Sequence, residues 1–241
     1  SINMILVTGG AGYIGSHTVV ELLNNNFEVV IIDDLSNTER FILKNIEEIT
    51  GKKPIFYPFD LKRKELLKQV FDAHQIEGCI HFAAYKAVGE SQVKPIDYYE
   101  NNLFSLINLL QEMKERNISN FIFSSSCTVY GQADKMPIDE ETPLKLPESS
   151  YGKTKQMGEE ILKDFATAHQ KKMTLLRYFN PIGAHPSAKL GELPIGIPNN
   201  LVPYVMQTAA GVREKLSVWG NDYPTEDGTA IRDYIYVVDL A

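Results

Sequence analysis

The sequence predicts an α/β protein whose core is a doubly wound parallel sheet. Three observations favour this fold class. Short apolar β-rich runs alternate with longer segments of helical spacing, a glycine-rich turn joins the first run to the first helix, and 241 residues can bury one large core. Buried strands separated by helices pair in parallel through right-handed crossovers. In such sheets, ligands bind beyond the carboxyl ends of the strands.

The predicted strands are short and apolar, and they cover residues 4–8, 28–32, 55–59, 78–82, 120–125 and 173–178. The predicted helices lie between them, at residues 14–25, 61–74, 96–117 and 151–170. One face of the third helix carries apolar residues at three- and four-residue steps: Tyr99, Leu103, Leu106, Leu110 and Met113. Such spacing is typical of a helix packed against a core.

After residue 178 the composition changes. Residues 180–203 contain proline and glycine at a density that is typical of loops. We therefore expect residues 1–179 to form the sheet domain and residues 180–241 to begin a smaller substrate domain. Asp239 is of a residue type that favours helix starts, and only two residues follow it. This position leads us to expect a truncated second domain.

Composition excludes several function classes. A formal net charge of −7 argues against a surface that binds nucleic acid. No apolar run approaches the ~20 residues that span a bilayer, and a strand begins almost at once, so we expect neither a membrane anchor nor a secretory signal. Cys79 and Cys127 lie in or beside strand-like runs, which favours buried thiols over a disulfide. A cytoplasmic protein is the expectation.

The glycine-rich turn is the first candidate binding element. Gly9, Gly12 and Gly15 follow a predicted strand and precede a predicted helix. Glycine permits a tight turn and close approach of a diphosphate, and the N–H groups at the start of the helix then face the phosphates. A tight turn without a ligand is the alternative. The flanking strand and helix, and the acid that follows, favour a dinucleotide.

The acid is Asp33, which ends the second predicted strand. A carboxylate at this position accepts hydrogen bonds from ribose hydroxyls and repels a 2′-phosphate, so the sequence predicts NAD rather than NADP. Asp33 and its neighbour Asp34 could instead be turn or capping acids. Asp60 ends the next strand, and it has the same alternatives or a place near the adenine.

Tyr151 is the candidate base, because Lys155 follows it by four positions and shares its helix face. A free phenol has a pKa of about 10, and a nearby ammonium lowers that value. Lys153 points elsewhere and is expected at the surface. The alternative for Tyr151 is an aromatic side chain that packs at a helix start.

Ser126 closes a strand at its carboxyl end, where its hydroxyl could bind the reacting oxygen of a substrate. It could equally cap a loop. Lys86 and Asn101 flank the same expected crevice, with a loop lysine and a helix-surface asparagine as the alternatives. The five histidines are scattered singly, so no metal site is predicted.

Four motifs in this order carry a resemblance to a known family: GGAGYIG at 9–15, SSSCTVYG at 124–131, YGKTK at 151–155 and RYFNPIGAHP at 177–186. The chain resembles the extended short-chain dehydrogenase/reductase family, whose sheet domain has the Rossmann fold, and within it the epimerases of UDP-hexoses. The resemblance covers nearly the whole chain, through KAVGES at 86–91, GIPNNLVPY at 196–204, GNDYPTEDGT at 220–229 and RDYI at 232–235. The first and third motifs specify only the wider family, and the later segments are more specific.

The resemblance implies a set of site residues. Ser126, Tyr151 and Lys155 form the catalytic group and also contact the cofactor. The other NAD contacts, beside the three glycines, are Tyr13, Ile14, Asp33, Asp34, Leu35, Ser36, Asn37, Thr38, Asp60, Leu61, Phe82, Ala83, Ala84, Lys86, Asn101 and Phe179. The nucleotide-sugar contacts, beside Ser126 and Tyr151, are Asn180, Asn200, Leu201, Trp219 and Arg232. Uracil can stack on the indole of Trp219, although a core-filling aromatic is its alternative, and a guanidinium suits a diphosphate.

The activity implied is the interconversion of UDP-glucose and UDP-galactose in galactose metabolism, by transient oxidation at C4 with tightly bound NAD. A homodimer through a four-helix contact is also expected. Two alternatives are weighed. A nucleotide-sugar 4,6-dehydratase needs an acid and a base after Ser126, where this chain has Cys127 and Thr128. A non-catalytic NAD-binding regulator is disfavoured by the intact Tyr151 and Lys155.

Overall fold

The computed structural model describes residues 3–241, and within them it places eight strands and eight α-helices. The strands are β1 (Met4–Thr8), β2 (Glu28–Ile32), β3 (Ile55–Tyr57), β4 (Ile76–His81), β5 (Asn120–Ser124), β6 (Lys172–Leu176), β7 (Asn180–Ile182) and β8 (Tyr234–Tyr236). The helices are α1 (Tyr13–Asn24), α2 (Phe41–Thr50), α3 (Lys64–Ala73), α4 (Val88–Val93), α5 (Pro95–Glu115), α6 (Ser150–His169), α7 (Leu201–Ala209) and α8 (Val237–Leu240).

The first six strands form one parallel sheet in the order β3-β2-β1-β4-β5-β6. This order reverses direction between β1 and β4, so the segments that leave these two strands run apart beyond their carboxyl ends and border a crevice there. Thr8 at the end of β1 pairs with Ile32 of β2 on one side and with His81 of β4 on the other. The predicted doubly wound fold is confirmed.

Two apolar layers hold the sheet between its helices. Leu109, Met113 and Leu162 from α5 and α6 pack with Phe121 of β5 on one face. On the other face, Val19 and Ile46 from α1 and α2 pack with Ile31 of β2, and Leu190 from the segment after the sheet joins them. A core of this size fixes the strand ends, and these carry the site.

The observed elements differ from the predicted ones mainly at strand ends. Strands β3, β4, β5 and β6 each end one or two residues before the predicted end. At β5 the backbone turns away because Ser125 N–H donates to Phe123 O (3.0 Å). Helix α3 begins at Lys64 rather than at 61, because the Asp60 carboxylate accepts from Lys62 N–H and forms a turn first. Helices α2, α4 and α7 were not predicted.

The predicted apolar face of α5 needs one correction. Leu106, Leu110 and Met113 are buried as expected, but Tyr99 and Leu103 are only partly buried. Tyr98 takes the buried position instead, because the first turns of α5 pack against α4 and the loop before it, where the Tyr98 hydroxyl bonds Glu90 (2.9 Å).

The segment after β6 has a different character. Strands β7 and β8 form a separate parallel pair, and α8 starts at Val237, before Asp239. Many large apolar side chains between residues 193 and 236 are exposed. In the chain from residue 3 onward, no helix combines the length and apolar character that crossing a membrane requires.

Candidate active site

The turn after β1 has the tight geometry that its glycines predict. Gly9 has φ +67°, and a Cβ there would lie 2.9 Å from Ala83 N. A Cβ on Gly15 would lie 2.1 Å from Gly9 O, so the first turn of α1 packs directly on the glycine loop. Only residues without side chains allow this approach. The turn therefore brings the start of α1 against the end of β4.

The start of α1 is suited to an anion. Helix α1 begins at Tyr13 after Gly12, and within residues 3–241 no side chain caps its first N–H groups and no acid lies in its first turn. Uncapped N–H groups and the helix dipole favour a phosphate at this end. Ile14 lies in the same turn, partly buried.

Asp33 lies where β2 leaves the sheet and ties the following loop to the glycine turn. One carboxylate oxygen accepts from Ala11 N–H (3.1 Å) and the other from Leu35 N–H (2.9 Å). Burial raises the pKa of Asp33, while these two hydrogen bonds and the charge of Lys86 oppose the rise. Thr38 adds a second tie, from its hydroxyl to Ala11 O (2.6 Å).

The rest of this loop is a short turn. The Asp34 carboxylate accepts from Ser36 N–H (2.9 Å), Leu35 adopts φ 59°, and Asn37 is exposed. Asp34 therefore takes part in the turn through one carboxylate oxygen. The loop presents backbone and polar groups at the crevice rather than a packed surface.

Asp60 belongs to a polar cluster beside this loop. The Lys62 ammonium bridges the Asp60 carboxylate (2.8 Å) and the Asn101 amide oxygen (2.9 Å). Asn101 is buried, and the neighbouring Leu61 side chain packs into the core. Asp60 and Asn101, two separate cofactor candidates, are therefore brought together by Lys62, which no sequence pattern marked.

The segment after β4 closes the other side of the crevice. Phe82 and Ala83 pack against the core, and Ala84 follows them partly buried. Asn102 holds the next residue in place, since its side chain bonds both Tyr85 N (2.8 Å) and Tyr85 O (3.0 Å). Lys86 is exposed to solvent yet recessed among protein atoms, so desolvation lowers its pKa while Glu192 and Asp33 oppose this.

Tyr151 stands in the first turn of α6. Ser149 caps the helix by accepting from Gly152 N–H (3.0 Å), which fixes the direction in which the helix starts. Thr154 then joins the helix to Asn102 (2.9 Å). The phenol is thereby held at the carboxyl edge of the sheet, next to Ser126.

Lys155 lies one turn further along the same face. It is 4% exposed, its ammonium donates to Ser124 O (2.6 Å), and it lies 5.9 Å from the centre of the Tyr151 ring. Burial lowers the pKa of Lys155 to about 7, and the charge of Lys86 acts in the same direction. The lysine is therefore poised to exchange its proton near neutrality.

The pKa of Tyr151 departs from the sequence prediction. Burial raises it, Tyr178 adds to the rise, and the Ser126 hydroxyl opposes it. The expected lowering by Lys155 is absent, because its ammonium donates to Ser124 O and burial alone dominates the pKa of the phenol. A second positive charge beside the phenol is needed to reverse this balance.

Ser126 begins a 3₁₀ turn, Cys127–Tyr130, after β5. Its oxygen accepts from Thr128 N–H (3.2 Å) and from the Thr128 hydroxyl (2.9 Å). Since Ser126 accepts both of these bonds, its own proton is free to be donated to a reacting oxygen. In the sequence, Thr128 matters only because it stands where a dehydratase needs an acid or a base. Its support of the Ser126 oxygen becomes visible only in the structure.

The remaining predicted contacts follow β6: Phe179 is the last predicted cofactor contact, and Asn180, Asn200 and Leu201 are predicted sugar-nucleotide contacts. Phe179 and Asn180 follow β6, and the Asn180 amide donates to Asp233 O (2.8 Å). Asn200 precedes α7 and bonds the Glu192 carboxylate, with the exposed Leu201 beside it. The pKa of Glu192 is raised by burial, against its bonds with Asn200 and the charge of Lys86.

Trp219 and Arg232 are not packed into the site. Trp219 is 88% exposed, and Arg232 donates only to Ile231 O (2.8 Å) among the residues described. Burial raises the pKa of the Cys127 thiol, and the charge of Arg232 slightly opposes this rise. The core-filling alternative for Trp219 does not hold in this structure.

Other sequence expectations concern cysteines and metals. Cys79 and Cys127 are free thiols. Burial lowers the pKa of His81 to about 3, and Lys155 contributes, so this histidine is neutral between the Thr8 hydroxyl and the Phe123 ring. In the part of the chain from residue 3 to 241, no group of three or more potential metal ligands occurs.

Taken together, the geometry fits a dinucleotide. A tight glycine turn leads into an uncapped helix start, an acid stands at the end of β2, and a tyrosine and a serine converge at the edge of β5. The model of the NAD dependent epimerase/dehydratase family matches residues 5–241. The chain belongs to this family. Its resemblance to the extended short-chain dehydrogenases/reductases and its predicted use of NAD are thereby confirmed.

Among the members of this family, the chain is similar to several UDP-glucose 4-epimerases. The UDP-glucose 4-epimerase of Bacillus subtilis (strain 168) is 55% identical over 238 residues, which cover 98% of this chain and 70% of that protein. The UDP-glucose 4-epimerase of Haemophilus influenzae is 54% identical over the same shares of the two chains. The chain therefore spans about 70% of the length of these relatives.

Solved structures of UDP-sugar 4-epimerases have the same fold as this chain. UDP-glucose 4-epimerase from Bifidobacterium longum, in complex with NAD+ and UDP, matches with a TM-score of 0.96 and 49% identity, over 99% of this chain and 71% of that one. The UDP-Glc/GlcNAc 4-epimerase from Campylobacter jejuni matches with a TM-score of 0.83 and 36% identity, over 99% of this chain and 71% of that one.

Proposed function

We propose that this protein interconverts UDP-glucose and UDP-galactose with bound NAD, as an isomerase of galactose metabolism. The observation that carries the proposal is the meeting of Tyr151 and Ser126 at the carboxyl edge of β5, above a buried Lys155. UDP-glucose 4-epimerases at more than 50% identity over nearly the whole chain support the same activity.

The cofactor would be held by the turn at Gly9–Gly15, the loop of Asp33 and the cluster of Asp60 and Asn101. When bound, NAD would supply the hydride acceptor for sugar C4 and a positive ring whose charge favours the Tyr151 phenolate. Asp33 keeps one oxygen on each of two backbone N–H groups, so its remaining lone pairs can accept from ribose hydroxyls.

Proton transfer falls to Tyr151. Its phenolate oxygen takes the proton of the sugar 4-hydroxyl, and the phenol later returns a proton to the 4-keto oxygen. The Ser126 hydroxyl donates a hydrogen bond to the same sugar oxygen and so orients that oxygen toward Tyr151. The Lys155 ammonium, 5.9 Å from the centre of the Tyr151 ring, favours the phenolate through its charge while it is protonated.

Epimerisation requires the 4-keto sugar to turn over between two hydride transfers. We propose that Asn200, Leu201, Trp219 and Arg232 hold the UDP, while few groups restrain the hexose. The chemistry of two of these side chains supports this assignment, because uracil can stack on the Trp219 indole and the Arg232 guanidinium can bond phosphate oxygens in pairs.

The test is to incubate the full-length protein with UDP-galactose and follow the products by NMR. We expect UDP-glucose to form without NADH accumulating in solution. A 4-keto-6-deoxy product would favour the dehydratase instead. An inactive protein that still binds NAD would favour a regulator. The dehydratase is disfavoured because it needs an acid or a base at position 128. Thr128 is neither, and its hydroxyl donates to the Ser126 oxygen.

We also propose a homodimer in the cytoplasm. Leu103 of α5 and Met157 and Ile161 of α6 line a groove at the surface, so two copies could pair these helices into a four-helix contact. Replacing Met157 by Glu should convert a dimer into monomers in sedimentation analysis. Equal masses for the wild-type protein and the Met157→Glu variant would contradict this contact.

The proposed location in the cytoplasm rests on the cysteines. The free thiols of Cys79 and Cys127 are in keeping with a reducing compartment.

A further inference from the structure

A buried ion pair lies behind Ser126 and takes no part in the proposed proton transfers. Glu159 of α6 is fully buried, and its carboxylate accepts from Arg177 through both Nε (2.8 Å) and Nη2 (2.8 Å). Such two-point pairing is the strong form of the interaction. The pair joins α6 to the end of β6, two of the elements that enclose the site.

The pair also holds the two flanks of Ser126. Before it, the Ser125 hydroxyl donates to Glu159 (2.6 Å). After it, Arg177 donates to the Tyr130 hydroxyl (3.3 Å) and stacks over the Tyr130 ring at 5.2 Å. Tyr130 ends the 3₁₀ turn that Ser126 begins. One ion pair thus fixes the chain on either side of the serine.

Neighbouring bonds leave Ser126 little freedom. The Lys155 ammonium binds Ser124 O, and Cys127 N–H donates to Tyr178 O (3.2 Å). Tyr178 also bonds the Ser124 hydroxyl. Glu159 follows Lys155 by one helical turn, as Lys155 follows Tyr151, so one face of α6 contacts the serine run at successive turns.

Stability alone is a weak reason for such a pair. Two buried charges gain little over a well-packed apolar pair, because desolvation offsets their attraction. What an apolar pair cannot do is fix the Ser125 hydroxyl in one direction and so set the register of the next residue. Positioning is the role that uses this property.

We infer that Glu159, through Ser125 and supported by Arg177, is a positioning residue that aligns the Ser126 hydroxyl with the Tyr151 oxygen. The inference rests on the proposed function. It assigns Glu159 no contact with substrate or cofactor. Its effect should therefore appear in the chemical step and only when Ser126 carries its hydroxyl.

The test is a double-mutant cycle in the full-length protein with Ser125→Ala, Ser126→Ala and the double variant. We expect Ser125→Ala to lower kcat about tenfold, the effect of losing one hydrogen bond to a charged group, with KM for UDP-galactose within about twofold. On the Ser126→Ala background the same change should alter kcat by less than about twofold.

Further measurements separate positioning from loss of structure. Ser125→Ala should lower the melting temperature by the same amount with and without the Ser126 hydroxyl, and it should change the dissociation constant of UDP little. Glu159→Gln, which keeps an acceptor for Ser125, should lower kcat less than Glu159→Ala does. Ser119→Ala, at the opposite end of β5, and Glu112→Gln, from the pair with Arg116 (3.0 Å), are matched controls that should keep wild-type kcat.

Equal effects of Ser125→Ala with and without the Ser126 hydroxyl would overturn the inference, and so would an unchanged kcat for Ser125→Ala. Both outcomes leave the proposed function standing, because the wild-type protein is active in them. A wild-type protein that interconverts no UDP-hexose would overturn the proposed function and this inference with it.

Discussion

The proposed proton-transfer residues of the sheet region, residues 3–179, are buried or partly buried, whereas the proposed UDP-binding residues of the segment that follows it are exposed. In the sheet region Lys155 and Ser126 are buried and bonded on several sides. In the later segment Trp219 is 88% and Ile231 is 80% exposed, and Arg232 bonds only a neighbouring carbonyl. The proton-transfer groups are fixed by packing, whereas the proposed nucleotide-binding groups Trp219 and Arg232 lie exposed in a chain that spans about 70% of its relatives' length.

This difference matches the demands of the proposed reaction. A proton acceptor must stay within hydrogen-bond reach of one oxygen, so its own position has to be overdetermined. A sugar that turns over between two hydride transfers needs a site that holds only the nucleotide. The two regions are therefore expected to affect different kinetic parameters when they are changed.

The largest effect is expected in the buried region, at Tyr151. Tyr151→Phe removes the atom that takes the proton and should lower kcat by about 10³-fold or more while NAD remains bound. The measurement is epimerase turnover together with the NAD content of the purified variant. Substantial turnover by this variant would show that another group is the base.

The burial of Lys155 can be tested through the pH dependence of the protein's stability. Its pKa of about 7 lies below the ordinary value of about 10.4, so between these values the unfolded chain binds a proton that the folded protein does not. Wild-type stability should therefore rise with pH in this window, by up to about 1.4 kcal/mol per pH unit from this group.

Lys155→Met lacks this dependence. As the pH falls from about 9.5 to about 7, the free energy of unfolding of the variant should improve relative to wild type, and the difference should level off below about 7. Denaturant unfolding at several pH values measures it. Lys153→Met is the control on the same helix, and a pH-independent difference for Lys155→Met would contradict the account.

Arg232 tests the exposed region. Arg232→Ala should raise KM for UDP-galactose about tenfold or more and leave kcat within about twofold, because a charged hydrogen bond to a diphosphate contributes about 1.5–3 kcal/mol. Steady-state kinetics separates the two parameters. A kcat loss comparable to that of Tyr151→Phe would remove the division between the regions.

The smallest effect is expected at Trp219. Trp219→Ala should weaken UDP binding by about threefold to tenfold, the range of one aromatic pair. Titration of UDP by calorimetry measures the change, and Trp219→Phe should retain much of the affinity. Unchanged binding by Trp219→Ala would leave uracil without its proposed partner.

The sequence predicted what depends on local pattern. Alternating apolar and helical segments suffice for the sheet, and the spacing of Tyr151 and Lys155 suffices to place both on one helix face, because side chains four residues apart on a helix are neighbours. Helix α2 was missed, since it buries only Ile42 and Ile46, two residues of a short apolar face.

Effects that depend on tertiary contact could not be predicted. The raised pKa of Tyr151 and the lowered pKa of Lys155 follow from burial, which the spacing of the two residues does not encode. Thr128 and Glu159 became recognisable only when folding brought them to Ser126 and Ser125. Asn102 and Lys62 likewise support predicted residues through contacts distant in sequence.

The central claim is that hydrogen at sugar C4 leaves and returns within one active site. UDP-galactose carrying deuterium at C4 tests it directly, with the product examined by NMR after incubation in ordinary water. The account predicts UDP-glucose that retains deuterium at C4 and no label in free NADH. Replacement of the label by solvent hydrogen, or its transfer to NADH in solution, would contradict it.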